Sequence, residues 1–147
     1  MIGCSSKDSF DDSKNENAKV NIEKSYDIDD ANIQKIVEEL KAAGKTPIVI
    51  NDDGNLLLCI STDANIKDVR LYKLGEDFSD FDFSIEKYLS VNKDVNFKQL
   101  TKSLSKDELL IVKVNEAEGI PTDCITWMDP SNDTTYYLIT YDGKGEN

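Results

Sequence analysis

Asn51-Asp52-Asp53-Gly54-Asn55-Leu56-Leu57-Leu58-Cys59-Ile60 is the stretch whose reading decides the fold. Its second half is an unbroken apolar run, which suits a central strand covered on both faces or a strand with a helix over it. Its first half holds residues that tolerate positive φ. The pair predicts a hairpin, from a strand over 48–50 through the turn to a strand over 55–61.

Working outward, the same alternation of short apolar runs and turn residues continues. Residues 67–74 read as a third strand, with Val69 and Leu71 on one face and Arg70 and Tyr72 on the other. Phe78, Phe81 and Phe83 alternate with Asp80 and Asp82, which predicts a strand over 81–85. Phe97, Leu100 and Leu104 have a helical spacing instead, so 96–104 is expected to be a short helix or loop. A strong strand signal returns over 109–115 and ends at the turn Glu118-Gly119-Ile120-Pro121. Residues 123–128 and 134–141 form a second predicted hairpin across Asp129-Pro130-Ser131-Asn132-Asp133.

Upstream of the deciding stretch, Ile33, Ile36, Val37 and Leu40 fall at i, i+3, i+4 and i+7, the single apolar stripe of an amphipathic helix within 26–44. Asp29 or Asp30 supplies an N-cap oxygen, and Gly44 ends the helix where a left-handed residue is wanted. Lys35, Glu38, Glu39 and Lys41 charge the other face, so the helix should lie on a core and not inside one. Six or seven strands with turn signals between them suggest a mostly β, two-sheet sandwich, immunoglobulin-like or fibronectin-like by element count, with this N-terminal helix packed on it. The order Cys, Trp, Cys of antibody domains is not followed, because Trp127 comes after Cys124. Parity puts Ile125 and Trp127 on the core face of their strand and Cys124, Thr126 and Met128 on the other, which argues against a bond between Cys124 and Cys59.

Ile2-Gly3-Cys4-Ser5 opens the chain, and residues 5–21 offer only Phe10, Ala18 and Val20 as apolar relief. Such a segment buries too little to offset the entropy of ordering it, so residues 1–25 are expected to be a polar tether and 26–147 one domain. The small-residue box ending at Cys4 resembles the end of a bacterial lipoprotein signal. That resemblance implies a diacylglycerol on the Cys4 sulfur, a membrane partner through that lipid, and a folded domain held on the extracytoplasmic face of the cell membrane. It also implies a basic and apolar leader ahead of Met1. A myristoyl signal is excluded, since Ile2 and not glycine follows Met1.

The 29 acidic and 17 basic residues give a net charge of −12 and no histidine. This disfavours nucleic acid and polybasic membrane contacts, and removes the commonest general base and metal ligand. Three scattered cysteines do not make a zinc site. No catalytic motif, cofactor or metal site is read, and the glycines form no phosphate-cradling loop. Trp127, Tyr136 and Tyr141 are the candidate ligand-binding residues, as rings that would present a stacking surface to a protein or a glycan. Acidic clusters at Asp27, Asp29 and Asp30; Asp52 and Asp53; Glu76, Asp77, Asp80 and Asp82; and Asp129 and Asp133 read first as solvated capping and turn residues, and second as oxygen donors for calcium. The expected function is a membrane-anchored binding or structural module. The alternatives are a small carboxylate-based carbohydrate-active enzyme and a calcium-stabilised adhesion module.

Overall fold

A computed structural model of the chain describes residues 18–26, 28–51, 53–75, 85–117 and 120–139. Among these residues ten strands and two helices run in the order β1 (Val20–Ser25), α1 (Asp30–Ala42), β2 (Thr46–Ile50), β3 (Leu56–Thr62), β4 (Ile66–Lys73), α2 (Ile85–Val91), β5 (Phe97–Leu104), β6 (Glu108–Val114), β7 (Glu116–Ala117), β8 (Ile120–Pro121), β9 (Asp123–Met128) and β10 (Thr135–Ile139). The fold is mostly β. One four-stranded sheet has the order β1-β3-β6-β2 and a second the order β10-β9-β4-β5, while β7 and β8 form a separate two-stranded ribbon.

Alternation along the strands explains how the two sheets face each other. Leu56, Leu58 and Ile60 of β3 pair with Val114, Val112 and Leu110 of β6, and all six are at most 1 % exposed. Ile66, Val69, Leu71, Leu100, Leu104, Ile125 and Trp127 close the same core from the second sheet. Ile125 and Trp127 thus share the inner face, and Cys124 lies in a different cluster on the outer face, as parity requires.

The run at 56–60 is apolar throughout because β3 is covered on both sides. Leu57 and Cys59 alternate with the core residues, and Ile111 pairs with Cys59. Helix α1 lies over this outer face, where Ile36 and Leu40 meet Cys59, Ser61 and Leu109 around one cavity. The Asp29 carboxylate caps the helix by accepting from the Asn32 amide at 2.9 Å, and Gly44 follows its end at φ 82°. Asp29→Ala should therefore cost about 1 kcal/mol, read as a lowered urea midpoint with an unchanged slope.

Three expectations are corrected. The strand at 46–50 makes no hairpin with β3: β6 lies between them, antiparallel to β3 and parallel to β2, with Ile48 opposite Leu110. The turn residues instead dock on the end of β6. Asn55 donates its amide N–H to the Val114 carbonyl at 2.9 Å, and its side chain exchanges two hydrogen bonds with the Glu116 backbone. Second, the folded part begins earlier than residue 26. Val20–Ser25 pairs with β3 as an edge strand, and Ala18, Val20 and Ile22 pack on the core. The remainder of the expected tether lies outside the described residues.

Third, 97–104 is an edge strand and neither helix nor loop. Gln99 and Thr101 pair with the consecutive residues Arg70 and Val69, so Leu100 is the extra residue of a bulge. Leu100 and Leu104 point into the core, whereas Phe97 lies beside Tyr72 on the outer face. The helical spacing thus joined residues from two faces. Of the strand expected at 81–85, only Ile85 is described, and it opens α2. Ile85 packs with Leu74 and Cys124, ringed by Tyr72, Tyr88, Leu89, Tyr137 and Ile139, and covers the outer face of the second sheet.

Candidate functional site

Around Asp68, strand β4 loses register with β9: Lys67 pairs with Met128, but Arg70 pairs with Thr126. Asp68 takes up the extra length at φ 54°, a left-handed conformation that costs a residue with a Cβ about 1–2 kcal/mol. Its carboxylate is gripped in return. Arg70 donates Nε to Oδ1 at 2.9 Å and brings Nη2 to 2.7 Å from Oδ2, and Gln99 Nε2 donates to Oδ1 at 3.0 Å. The Arg70 hydrogen bond, more than the Gln99 one, holds the Asp68 carboxyl below its ordinary range against the opposing effect of desolvation. Asp68→Ala keeps the strain and loses the pair, whereas Asp68→Gly loses the pair and the strain. The alanine variant should therefore melt lower, by about 1 kcal/mol in stability, in parallel thermal scans.

The same guanidinium sits 4.2 Å from the centroid of the Phe97 ring, which lies 5.4 Å from the Tyr72 ring at 47°. The cation and ring attract through the ring's quadrupole. Phe97 is nevertheless 47 % exposed. Beside it a cavity of about 390 Å³ is lined by Leu71, Lys73, Asn96, Phe97 and Lys98. Phe97 and Lys98 of β5, at the edge of its sheet, thus share one open cavity with Leu71 and Lys73 of β4. None of these residues was singled out from the sequence, although the two adjacent polar residues Lys67-Asp68 break the alternation of β4 and mark the bulge.

A second cavity of about 330 Å³ lies between α1 and the first sheet, lined by Glu23, Ile36, Glu39, Leu40, Lys45, Cys59, Ser61 and Leu109. Two carboxylates therefore share one concavity. Both glutamates are exposed. Burial, with the Glu23 charge second, pushes the Cys59 thiol up and away from the reactive thiolate.

The expected aromatic surface is placed differently. Trp127 and Tyr136 stack at 4.5 Å and 23°, but they do so within the core, where Trp127 is 6 % exposed. A glycan or protein ring cannot reach the Trp127 face there. Tyr141 lies outside the described residues, as does Cys4. Cys59 and Cys124 are both free thiols, on the outer faces of different sheets with the whole core between them.

Polar groups also gather at one end of the sandwich. Tyr26 donates its hydroxyl to Glu116 Oε1, and Asp123 Oδ2 accepts from the Asn115 amide at 2.8 Å with Lys73 Nζ at 3.7 Å. Glu116 Oε2 and Trp127 Nε1 are buried without a hydrogen-bond partner among the described residues. Asp129 caps its own hairpin by accepting from the Ser131 amide and hydroxyl, each at 2.8 Å, which also lowers its carboxyl from the ordinary range. Among the described residues no three Cys, Asp or Glu side chains are gathered to hold a metal ion, and no helix is long and apolar enough to cross a membrane. Asp27, Asp52, Glu76, Asp77, Asp80 and Asp82 lie outside the described residues. No family model, curated protein or solved structure matches this chain.

Proposed function

We propose that this chain is a lipid-anchored, extracytoplasmic binding or structural module, with Cys4 carrying the lipid. The observation that carries the reading is Gly3-Cys4 followed by a polar stretch that runs up to Ala18, just before β1 begins at Val20. A dozen or more polar residues between a lipid and an edge strand give the sandwich reach above a bilayer surface. Within this reading the sandwich is fibronectin-like. Strands β1, β3 and β6 take the places of A, B and E, and β10, β9, β4 and β5 those of G, F, C and an added C′. The unit α1–β2 is then an insertion after A, with β2 beside E on the edge that D otherwise occupies.

The test is to express the precursor in a bacterium with a labelled fatty acid. Label on Cys4 and a membrane-bound protein are expected. Unlabelled protein in the cytosol removes the anchor.

Glu23 and Glu39 in one cavity favour a second reading, a small carboxylate-based carbohydrate-active enzyme. Turnover of a chromogenic glycoside, abolished in both Glu23→Gln and Glu39→Gln, would establish it. Absence of turnover across a panel of glycosides leaves the binding module.

A further inference from the structure

We infer that the cavity between α1 and the first sheet binds a small organic cation, an ammonium group on an apolar body. The inference rests on the binding-module reading and names the chemical class of the ligand. Two features of the structure support it: an apolar floor that helix and sheet leave partly open, and two carboxylates beside that floor with no counterion among the described residues.

The floor follows from how α1 sits. The helix carries an apolar stripe, yet none of its residues is buried. In the sheet beneath it Cys59 and Leu109 are half-buried, whereas their neighbours Leu58 and Leu110, on the inner face, are fully buried. Helix and sheet therefore do not close on each other here, and the gap between them is the cavity of about 330 Å³. That volume lies at the small end of the range for small-molecule sites, and at about 30 Å³ for a water-sized group it holds on the order of ten non-hydrogen atoms.

Strand pairing sets the charge. Glu23 of β1 stands opposite Cys59 of β3, so its side chain lies on the face that α1 covers. Burial first, and the Glu23 charge second, raise the Cys59 thiol, which puts this carboxylate within electrostatic reach of the floor. Glu39 lines the same cavity from the helix, between Ile36 and Leu40. Elsewhere Asp29, Asp63, Asp123 and Asp129 each accept from a backbone N–H. The Glu23 and Glu39 carboxylates make no hydrogen bond or ion pair among the described residues. Lys45, which also lines the cavity, donates its ammonium to the Lys106 carbonyl at 3.3 Å instead.

An apolar floor beside two carboxylates matches a ligand of the converse build. The ligand's ammonium is drawn to Glu23 and Glu39, and its body covers Ile36, Leu40 and Leu109, which removes apolar surface from water. Other occupants fit less well. An anion meets two like charges, and a neutral apolar molecule takes water from the carboxylates and returns nothing. A metal ion needs several oxygen ligands together, and among the described residues no three Cys, Asp or Glu side chains are gathered to hold one.

The full chain, titrated with phenethylamine and followed by backbone NMR, tests this directly. Saturable shifts are expected at residues 23, 36–40, 59–61 and 109. The dissociation constant should be on the order of 1 mM, and binding should weaken as salt rises. Phenethyl alcohol has the same shape without the charge and should bind about fivefold more weakly, while phenylacetate should not bind. Glu23→Gln and Glu39→Gln, both at exposed sites, should each weaken the amine about threefold and leave the alcohol unchanged, with an unaltered far-UV spectrum. Equal binding of amine and alcohol overturns the inference by leaving a merely apolar gap. Amine shifts spread over the acidic surface, an amine affinity unchanged in both variants, or no shifts at all overturn it too. These results are independent of the fatty-acid label. Label without amine binding leaves an anchored module with a different ligand, and amine binding without label leaves the site and removes the anchor.

Discussion

Gly54→Ala is expected to unfold or severely destabilise this protein, by about 3 kcal/mol or more. A Cβ built on Gly54 would stand 2.4 Å from the Val114 carbonyl oxygen and 2.6 Å from the Val114 nitrogen. Those are backbone atoms of β6, held on one side by β3, and cannot swing away as a side chain would. The methyl group must displace either the 53–55 segment or the end of β6. Displacement breaks the Asn55 bond to Val114 at 2.9 Å and the two Asn55 bonds to the Glu116 backbone. Each lost bond costs about 1 kcal/mol, and overpacking against fixed backbone adds about 1–3 kcal/mol. Urea unfolding of the variant should show a midpoint far below that of the parent. A midpoint within experimental error of the parent would mean that the 53–55 segment does not approach β6.

Why the sequence misled at this point is physical. Asn51, Asp52, Asp53 and Gly54 do have turn chemistry, but turn residues fix a reversal of the chain and not which strand fills the place beside it. Glycine is required at 54 for the close approach of Val114, a strand more than fifty residues away, and nothing local signals that approach. Where burial alone decides, the reading held: the apolar run at 56–60 is the doubly covered strand, the stripe Ile33, Ile36, Val37 and Leu40 is α1, and Ile125 and Trp127 point inward. Bulges defeated it elsewhere. One residue inserted at Leu100 and one at Asp68 interrupt the period of two, so β5 looked helical and the Asp68–Arg70–Phe97 group went unseen. The short β1 was missed because only Val20 and Ile22 of its six residues are apolar, as befits an edge strand, which buries one face only.

Alkaline pH should destabilise the protein through Cys124. Burial first, and the neighbouring Asp123 charge second, push this thiol up to about 12. In the unfolded chain a cysteine ionises near 8.5. Between these values the unfolded state has released the proton that the folded state still binds, so ν_U − ν_N is negative and stability falls as pH rises. The loss is about 1.4 kcal/mol per pH unit once the unfolded thiol is ionised, or on the order of 4 kcal/mol by pH 12. Tyr137, also raised chiefly by burial, adds in the same direction above pH 10. Cys124→Ala removes a titrating group and leaves a small cavity. Its stability near pH 7 should fall slightly, while its decline above pH 9 becomes markedly shallower. A parallel decline in parent and variant would contradict the buried placement of the thiol. The same burial predicts that a disulfide reagent at pH 8 leaves Cys124 untouched until urea unfolds the protein.

The site was less legible than the fold for the same reason that edges differ from cores. Apolar periodicity reports what is buried, whereas the features that single out β5 arise from which strand ends up at the margin of the sheet. Lys73 and Lys98 are unremarkable in a chain with 17 basic residues until β4 and β5 are placed side by side at an edge. Trp127 and Tyr136 show the converse. Their aromatic character suggested a contact surface, and their stacking in the core shows that packing uses them instead.

The fold depends on β6 lying between β2 and β3, since that placement closes the first sheet and fixes where its edges fall. Backbone NOEs in the labelled protein test it most directly. The structure predicts cross-strand contacts from 48–50 to 110–112 in parallel register and from 56–60 to 110–114 in antiparallel register. Contacts from 48–50 directly to 56–58, with none from 48–50 to 110–112, would contradict it.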